Sequence, residues 1–419
     1  MKILICTVGG SHQPIIKAIE DSQPDFTLFV CSEDDPDTGK PGSYEQIEKR
    51  GIFLKKDFKD EKPSLPNIPT QAGLREGNSY AVLRVYADDL DHAYSEISRC
   101  IYEYVQRGDV IVADYTGGTK TMSAALCLAA LDHDSIDLQL VTGSRNNLVK
   151  VKDGTEQSQQ AQIGRTRFQL KLRHALASWE LFAYDDTLLH LADQKPLNRD
   201  DRGTLQAVRN LSTAFSAWDR FDHVTALELL DNYLSKYGKL LAPYASQLRL
   251  LCNESSKQIP ARLLDLWLNA QRRAIQRRFD DATSRAYRLL EWSAQWLLAN
   301  QASIDTSRVA VDKIPDTLRL VPNNDGLYKV ALYEAWELAA YHCDEGVRVF
   351  WEQNKERMKD LLSIRNHSLL AHGFSPITAG EWQRVTLFVE EALLPLLLMQ
   401  SSKLGIRHLP PQLPKTLTF

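Results

Sequence analysis

Cysteine is scarce in this chain and never clustered. Cys6, Cys31, Cys100, Cys127, Cys252 and Cys343 include no Cys-x-x-Cys pair, which argues against a zinc ribbon or a disulfide framework and suits a reducing cytosol. Surplus charge is missing too: 50 Lys and Arg stand against 54 Asp and Glu, a formal net charge of −4. The chain as a whole has no attraction for nucleic acid, so any RNA-binding surface must be a local basic patch. Long apolar runs are absent. Strand-like Ile3–Val8 leads straight into Gly9-Gly10, too short for a secretory signal, and apolar Ala392–Met399 holds Pro395 and is too short to span a bilayer. A soluble, cytoplasmic protein with no membrane segment is expected. Tryptophan is absent ahead of Trp179, although the chain has eight.

What is present changes character near Lys152. Before it, strand-like Lys2–Val8, Phe26–Cys31, Tyr80–Tyr86, Asp109–Ala113, Ile136–Val141 and Leu148–Val151 alternate with helix-compatible Gln13–Asp21, Asp89–Gln106 (opened by Asp88 as cap) and Lys120–Leu131. Glu33–Gly42 and Lys62–Gly77 read as polar loops. Such alternation predicts a parallel sheet with helices on both faces, and ligands then sit outside the carboxyl ends of the strands. From about Arg167 the pattern is helical: Phe168–Leu191, Thr204–Phe215, Val224–Tyr237, Leu263–Leu298, Gly326–Tyr341 and Glu345–Ala371 carry apolar residues at three- and four-residue spacing. The 419 residues suffice for two or three domains, each with its own core.

Two strand ends carry chemistry. One is Thr7-Val8-Gly9-Gly10-Ser11-His12; the other is Asp114-Tyr115-Thr116-Gly117-Gly118-Thr119-Lys120-Thr121. In the second, two glycines allow a sharp turn and close approach, and the following helix offers unpaired N–H groups. Thr116 and Thr119 add hydroxyl donors, and Lys120 adds a charge suited to phosphate. A Walker A loop needs Gly directly before Lys, where Thr119 stands, so an ATPase is disfavoured. A glycine-bearing turn without a ligand is the bland alternative.

In the helical half, Arg365-Asn366-His367-Ser368-Leu369-Leu370-Ala371-His372 stands out. On a helix, residues seven apart share nearly one face, so Arg365 and His372 would enter the same cleft, with Gly373 and Pro376 ending the helix. The helix dipole would favour the protonated form of a histidine in that last turn. His367 would be turned roughly 200 degrees away. Histidine can move a proton near neutral pH and arginine can hold a phosphate, which is enough for RNA cleavage by the neighbouring 2′-hydroxyl. Arg and His placed on a helix by chance is the competing reading. Glu291 is expected to pair with Arg288, and the tryptophans to be core. Arg272, Arg273, Arg277 and Arg278 are either an RNA guide or a solvated face.

The apolar strand ending in Asp-x-Thr-Gly-Gly-Thr-Lys, behind an N-terminal strand with its own Gly-Gly turn, resembles the CARF domain, the cyclic-oligoadenylate sensor of type III CRISPR systems. That resemblance covers roughly residues 1–160. It implies a homodimer with a ring of adenylates over facing loops, cyclic tetra-adenylate ahead of cyclic hexa-adenylate. Gly9, Gly10, Ser11 and His12 would form one ligand-facing loop and Thr116, Gly117, Gly118, Thr119 and Lys120 the other, with Arg145 and Asn146 as further contacts. Whether the domain degrades its own activator is left open. Arg273–Leu298 resembles the first long helix of HEPN domains, and Arg365 to His372 fits the HEPN ribonuclease motif, with Asn366 as its usual polar residue.

Together the halves resemble the CARF–HEPN ribonucleases. The fold implied is an α/β, Rossmann-like CARF domain (1–165) plus an all-α HEPN domain (261–408), with a helical linker or HEPN elaboration between them (166–260) and an extended tail (409–419). The activity implied is cleavage of single-stranded RNA at a composite homodimer site, switched on by cyclic oligoadenylate and needing no cofactor or metal. Catalysis would fall to Arg365, His372 and Asn366. The alternative is a catalytically inactive cyclic-nucleotide sensor acting as an interaction module.

Overall fold

A computed structural model describes residues 1–49, 52–54, 65–143, 145–146, 150–151, 155–196, 198–316, 318–322, 324–370 and 373–417. The chain divides into two compact units, Met1–Arg167 and Phe168–Phe419.

In the first unit, strands β1 (Lys2–Thr7), β2 (Phe26–Ser32), β3 (Tyr80–Val85), β4 (Val110–Asp114), β5 (Ile136–Thr142) and β6 (Gln157–Gln160) form one sheet in the order β6-β5-β4-β1-β2-β3. All neighbours are parallel except β6, which pairs antiparallel with β5. Strand β1 is apolar on both sides because both sides are covered. Ile3 and Ile5 enter a core with helices α2 (Leu90–Gln106) and α3 (Lys120–Leu131), whereas Leu4 and Cys6 enter another with α1 (Gln13–Ser22). From β1 the chain moves outward through β2 and β3, then returns to β4 on the other side of β1. The order therefore reverses between β1 and β4, the switch point at which open α/β sheets bind ligands.

Several expectations need correction here. The polar run 157–160 is a sheet strand, although its Gln-Ser-Gln-Gln sequence carries no strand signal. Of the expected strand Leu148–Val151, residues 148 and 149 lie outside the described residues, and Lys150–Val151 pairs with Arg145–Asn146 away from the main sheet. Within the expected loop Lys62–Gly77, 62–64 lie outside the described residues, while Leu65–Pro66 pairs as a strand and Ile68–Gln71 is a helical turn. The cap of α2 is Asp89, which accepts from His92 N at 2.9 Å, one residue beyond the expected Asp88.

The second unit is helical: α4 (Gly164–Ala177, which begins just before it), α5 (Tyr184–His190), α6 (Arg199–Asp219), α7 (His223–Asp231), α8 (Leu234–Cys252), α9 (Gln258–Ile275), α10 (Phe279–Ala302), α11 (Leu332–His342), α12 (Glu345–Asn366), α13 (Ala379–Phe388) and α14 (Leu394–Ser402). It holds two apolar cores. One is built by α4 to α8 around Trp179, Trp218 and Phe215; the other by α9 to α14 around Trp267, Trp336 and Phe388. These tryptophans are core, as their spacing implies.

The expected single helices Phe168–Leu191 and Leu263–Leu298 are each broken, at Phe182 (φ 56°) and Arg277 (φ 59°). Val224–Tyr237 is split between α7 and α8, and Gly326–Tyr341 becomes helical only from Leu332. The helical run 379–402, continuous through a π-turn at Val389–Leu393, is long and apolar enough by composition to cross a membrane. Half of its most apolar window is buried, with Trp382, Val385, Phe388 and Leu393 in the core, as in a core helix. It is longer than the stretch Ala392–Met399 suggested.

Of the basic run Arg272, Arg273, Arg277 and Arg278, the last two are exposed and Arg278 pairs with Asp281, but the first two are not a surface. Arg272 is fully buried and Arg273 nearly so. Arg272 Nε donates to Asp219 Oδ1 at 2.6 Å, and Arg273 donates to Asp219 Oδ2. Asn269 Nδ2 holds the carbonyl oxygen of Asp219 at 2.8 Å. Neither the RNA guide nor the solvated face applies to these two arginines. They join the end of α6 to α9, one core to the other.

Residues 403–417 form an extended strap over the same junction. Gln412 accepts from Arg272 Nη1 at 2.7 Å and donates to the Leu268 carbonyl at 3.1 Å, while the Tyr184 hydroxyl donates to the Pro414 carbonyl at 2.7 Å. Leu413 and Leu417 are buried in the first helical core.

Candidate functional site

The two glycine-bearing loops lie side by side at the switch point. Thr7 Oγ1 and Ser123 Oγ both donate to the Gly117 carbonyl, each at 2.7 Å. Gly117 and Gly9 are glycines because the loops touch. A Cβ on Gly117 would stand 2.2 Å from the Thr7 carbonyl oxygen, and one on Gly9 would stand 2.6 Å from Gly118 N. Gly118 adopts φ +75°, which favours glycine. A Cβ on Gly10 meets nothing within 4 Å. Alanine at Gly117 should therefore displace both loops and destabilise the N-terminal unit, while alanine at Gly10 should leave its stability within about 0.5 kcal/mol of wild type. Scanning calorimetry of both variants decides, and equal losses would refute the packing account.

The hydroxyls are committed differently. Thr119 caps α3, accepting from Met122 N at 3.1 Å and donating to the Ala87 carbonyl, so its proton is not available to a ligand. Thr116 Oγ1 accepts from Val141 N at 2.7 Å, and its own proton is directed at the buried Asp114 carboxylate. Lys120, exposed, is the first residue of α3. Its charge and the helix N-terminus both favour an anion there. Asp114 is buried at the end of β4, and its carboxylate accepts from Thr116 N at 2.9 Å and Gln139 Nε2 at 3.1 Å. Burial pushes its pKa up against the bonds from the Thr116 hydroxyl, the Thr116 N–H and Gln139. It shapes the loop from inside.

Ser11 is exposed, and half-buried His12 precedes α1 without a side-chain cap bond to it. Gln46, which the sequence did not single out, donates to the Gly9 carbonyl at 2.7 Å. Arg145 and Asn146 lie in the short ladder with Val151 and Lys150.

In the second unit, α12 ends at Asn366, with His367 as its C-cap. The expected helix to Ala371 is not formed, so the argument that Arg365 and His372 share a face two turns apart does not hold, nor does the placing of a histidine in the last turn. Ala371 and His372 lie outside the described residues. Beyond the helix, Ser368 N bonds the Arg365 carbonyl at 3.0 Å and Gly373 N bonds the Ser368 carbonyl at 3.1 Å. A Cβ on Gly373 would collide with the His367 carbonyl oxygen at 1.9 Å. Gly373 therefore lies against the end of α12.

Half-buried Arg365 lays its guanidinium over the ring of Tyr287 on α10, 4.4 Å from the centroid, and donates to Asn366 Oδ1 at 3.2 Å. Tyr287 is a site residue that periodicity could not reveal, since the contact depends on how α10 and α12 pack. His367 Nδ1 stands 2.7 Å from the Ser363 carbonyl, within its own helix. Glu291 pairs with Arg288 at 2.6 Å, as expected. Leu369, Leu370 and Phe374 are 60%, 52% and 94% exposed beside Arg365 in sequence.

Residues 252–394, about a third of the chain, match the family model of the Csm6 HEPN domain. The whole chain is similar to a solved structure of Enterococcus italicus Csm6 bound to cyclic hexa-2′-fluoro-hexa-dAMP, at 13% identity and a TM-score of 0.52, covering 96% of this chain and 95% of that one. Can2 from Sulfobacillus thermosulfidooxidans in complex with cyclic tetra-adenylate aligns over 54% of this chain and 68% of its own, at 11% identity. A type III CRISPR defence DNA nuclease activated by cyclic oligoadenylate aligns over 59% and 32%, at 15% identity. Both of these have TM-scores of 0.25 and carry no argument. No curated protein matches by sequence.

Proposed function

We propose that this chain, whose residues 252–394 form a HEPN domain of the Csm6 type and whose full length follows the Csm6 fold, is an endoribonuclease of CRISPR defence. It is switched on by a cyclic oligoadenylate bound at the paired glycine loops of its N-terminal unit. The observation that carries the nuclease reading is Arg365, held over Tyr287 at the exposed end of α12 within that domain.

The 2′-hydroxyl of single-stranded RNA attacks the adjacent phosphorus, and the bond to the 5′-oxygen breaks. His372 moves the proton, Arg365 offsets the charge that grows on the phosphate, and Asn366 steadies the guanidinium. The product is a 2′,3′-cyclic phosphate and a 5′-hydroxyl. One chain supplies one Arg–His pair. A second copy, covering Leu369, Leu370 and Phe374, completes a composite site in a cytoplasmic homodimer. The switch is allosteric, with sensing and cutting in separate units.

These groups need no metal, so cleavage should continue undiminished in EDTA and leave 2′,3′-cyclic ends, read by mass spectrometry. Activity lost on chelation and restored by a divalent ion would overturn the mechanism. On the same reading the ring is cyclic tetra-adenylate. Activation curves with four- and six-membered rings, run in parallel, test that preference.

A further inference from the structure

Apart from the half-buried imidazole of His12, the glycine loops and Lys120 offer a ligand backbone N–H groups, hydroxyls and one charge. Those groups recognise phosphate and ribose and are indifferent to the base. A ligand of linked adenylates also carries purines, each with a flat π face that needs cover.

The surface beside the second loop has such a cover. Tyr86 follows β3, whose carboxyl end lies on the same edge of the parallel sheet as those of β1 and β4. The Thr119 hydroxyl bonds the carbonyl of Ala87, the next residue, which ties the Tyr86 segment to the Lys120 loop. Tyr86 is 52% exposed, yet its ring is not loose: it rests on His92 with centroids 4.6 Å apart and planes at 44°. His92 is itself fixed in the first turn of α2, where its N–H donates to Asp89 at 2.9 Å. A single exposed aromatic is ordinary. One backed by a second ring and latched to a phosphate-type loop at a ligand-binding edge is pre-ordered for stacking.

We propose that Tyr86, backed by His92, is a stacking platform for a purine base of the cyclic nucleotide bound at the glycine loops. This rests on the reading of the N-terminal unit as a cyclic-oligoadenylate sensor. Tyr86 adds a base contact to the phosphate and ribose contacts of the loops.

The test is calorimetric titration of the full chain with cyclic tetra-adenylate and cyclic hexa-adenylate. Tyr86→Phe keeps the ring and should bind within about twofold of wild type. Tyr86→Leu keeps apolar bulk without a π face and should bind on the order of tenfold to a hundredfold more weakly, the range a lost base stack implies. His92→Leu should lose part of that affinity. If wild type binds and Tyr86→Leu binds equally well, the platform is refuted and the sensor reading stands. If wild type binds neither ring, the sensor reading falls and the platform with it. A Tyr86→Phe variant as weak as Tyr86→Leu would assign the effect to the hydroxyl and also refute stacking.

Discussion

Arg365→Ala should cut RNA at least about a hundredfold more slowly than wild type, with activator binding unchanged, because it removes the group that meets the charge developing on phosphate. Lys120→Glu should do the converse. It replaces attraction for a phosphate ring with repulsion at a helix N-terminus, a like-charge contact that costs several kcal/mol, or on the order of a thousandfold in affinity. Basal cleavage should persist while stimulation disappears. The residues belong to different compact units, so each function should be removable alone, as allostery between two sites requires. Titrating both variants, with binding and cleavage measured on the same samples, checks this. Full activation of Lys120→Glu, or failure of Arg365→Ala to bind activator, would break the division into sensor and effector.

Asp219→Ala should destabilise the helical unit by about 3–5 kcal/mol, the cost of leaving buried charge without its partner. Two buried arginines depend on this one carboxylate, and Nη2 of Arg272 and Nε of Arg273 already lack hydrogen-bond partners. Every tryptophan lies at or beyond Trp179, so intrinsic fluorescence during denaturant unfolding reports the helical unit alone. The midpoint should fall sharply while activator affinity survives. A loss below about 1 kcal/mol would mean that the arginines find water or another anion.

Features that repeat or alternate were legible in the sequence. Helix α3 has the bounds its Ala- and Leu-rich run implies, and both chemistry-bearing loops fall at the switch point because strand–helix alternation determines where such a point lies. Other features have no local signature. Phe182 and Arg277 turn helices with positive φ and no glycine, so nothing in composition marks the breaks. Leu369 and Leu370 continue the apolar rhythm of α12, but they are exposed beyond its end. That apolar continuation is what made His372 look helical. Arg272 and Arg273 look like surface charge until Asp219, distant in sequence, arrives beside them. Tyr287 acquires its place against Arg365 only through helix packing.

The strap of residues 403–417 has a consequence in time. A ribosome makes it after every helix it fastens, and well after the sensor unit ends at Arg167. At ordinary elongation rates the interval is on the order of ten to fifty seconds. During it, Tyr184 has no Pro414 to bond and Arg272 no Gln412. The N-terminal unit can thus fold as a compact body while the helical unit still lacks its fastening.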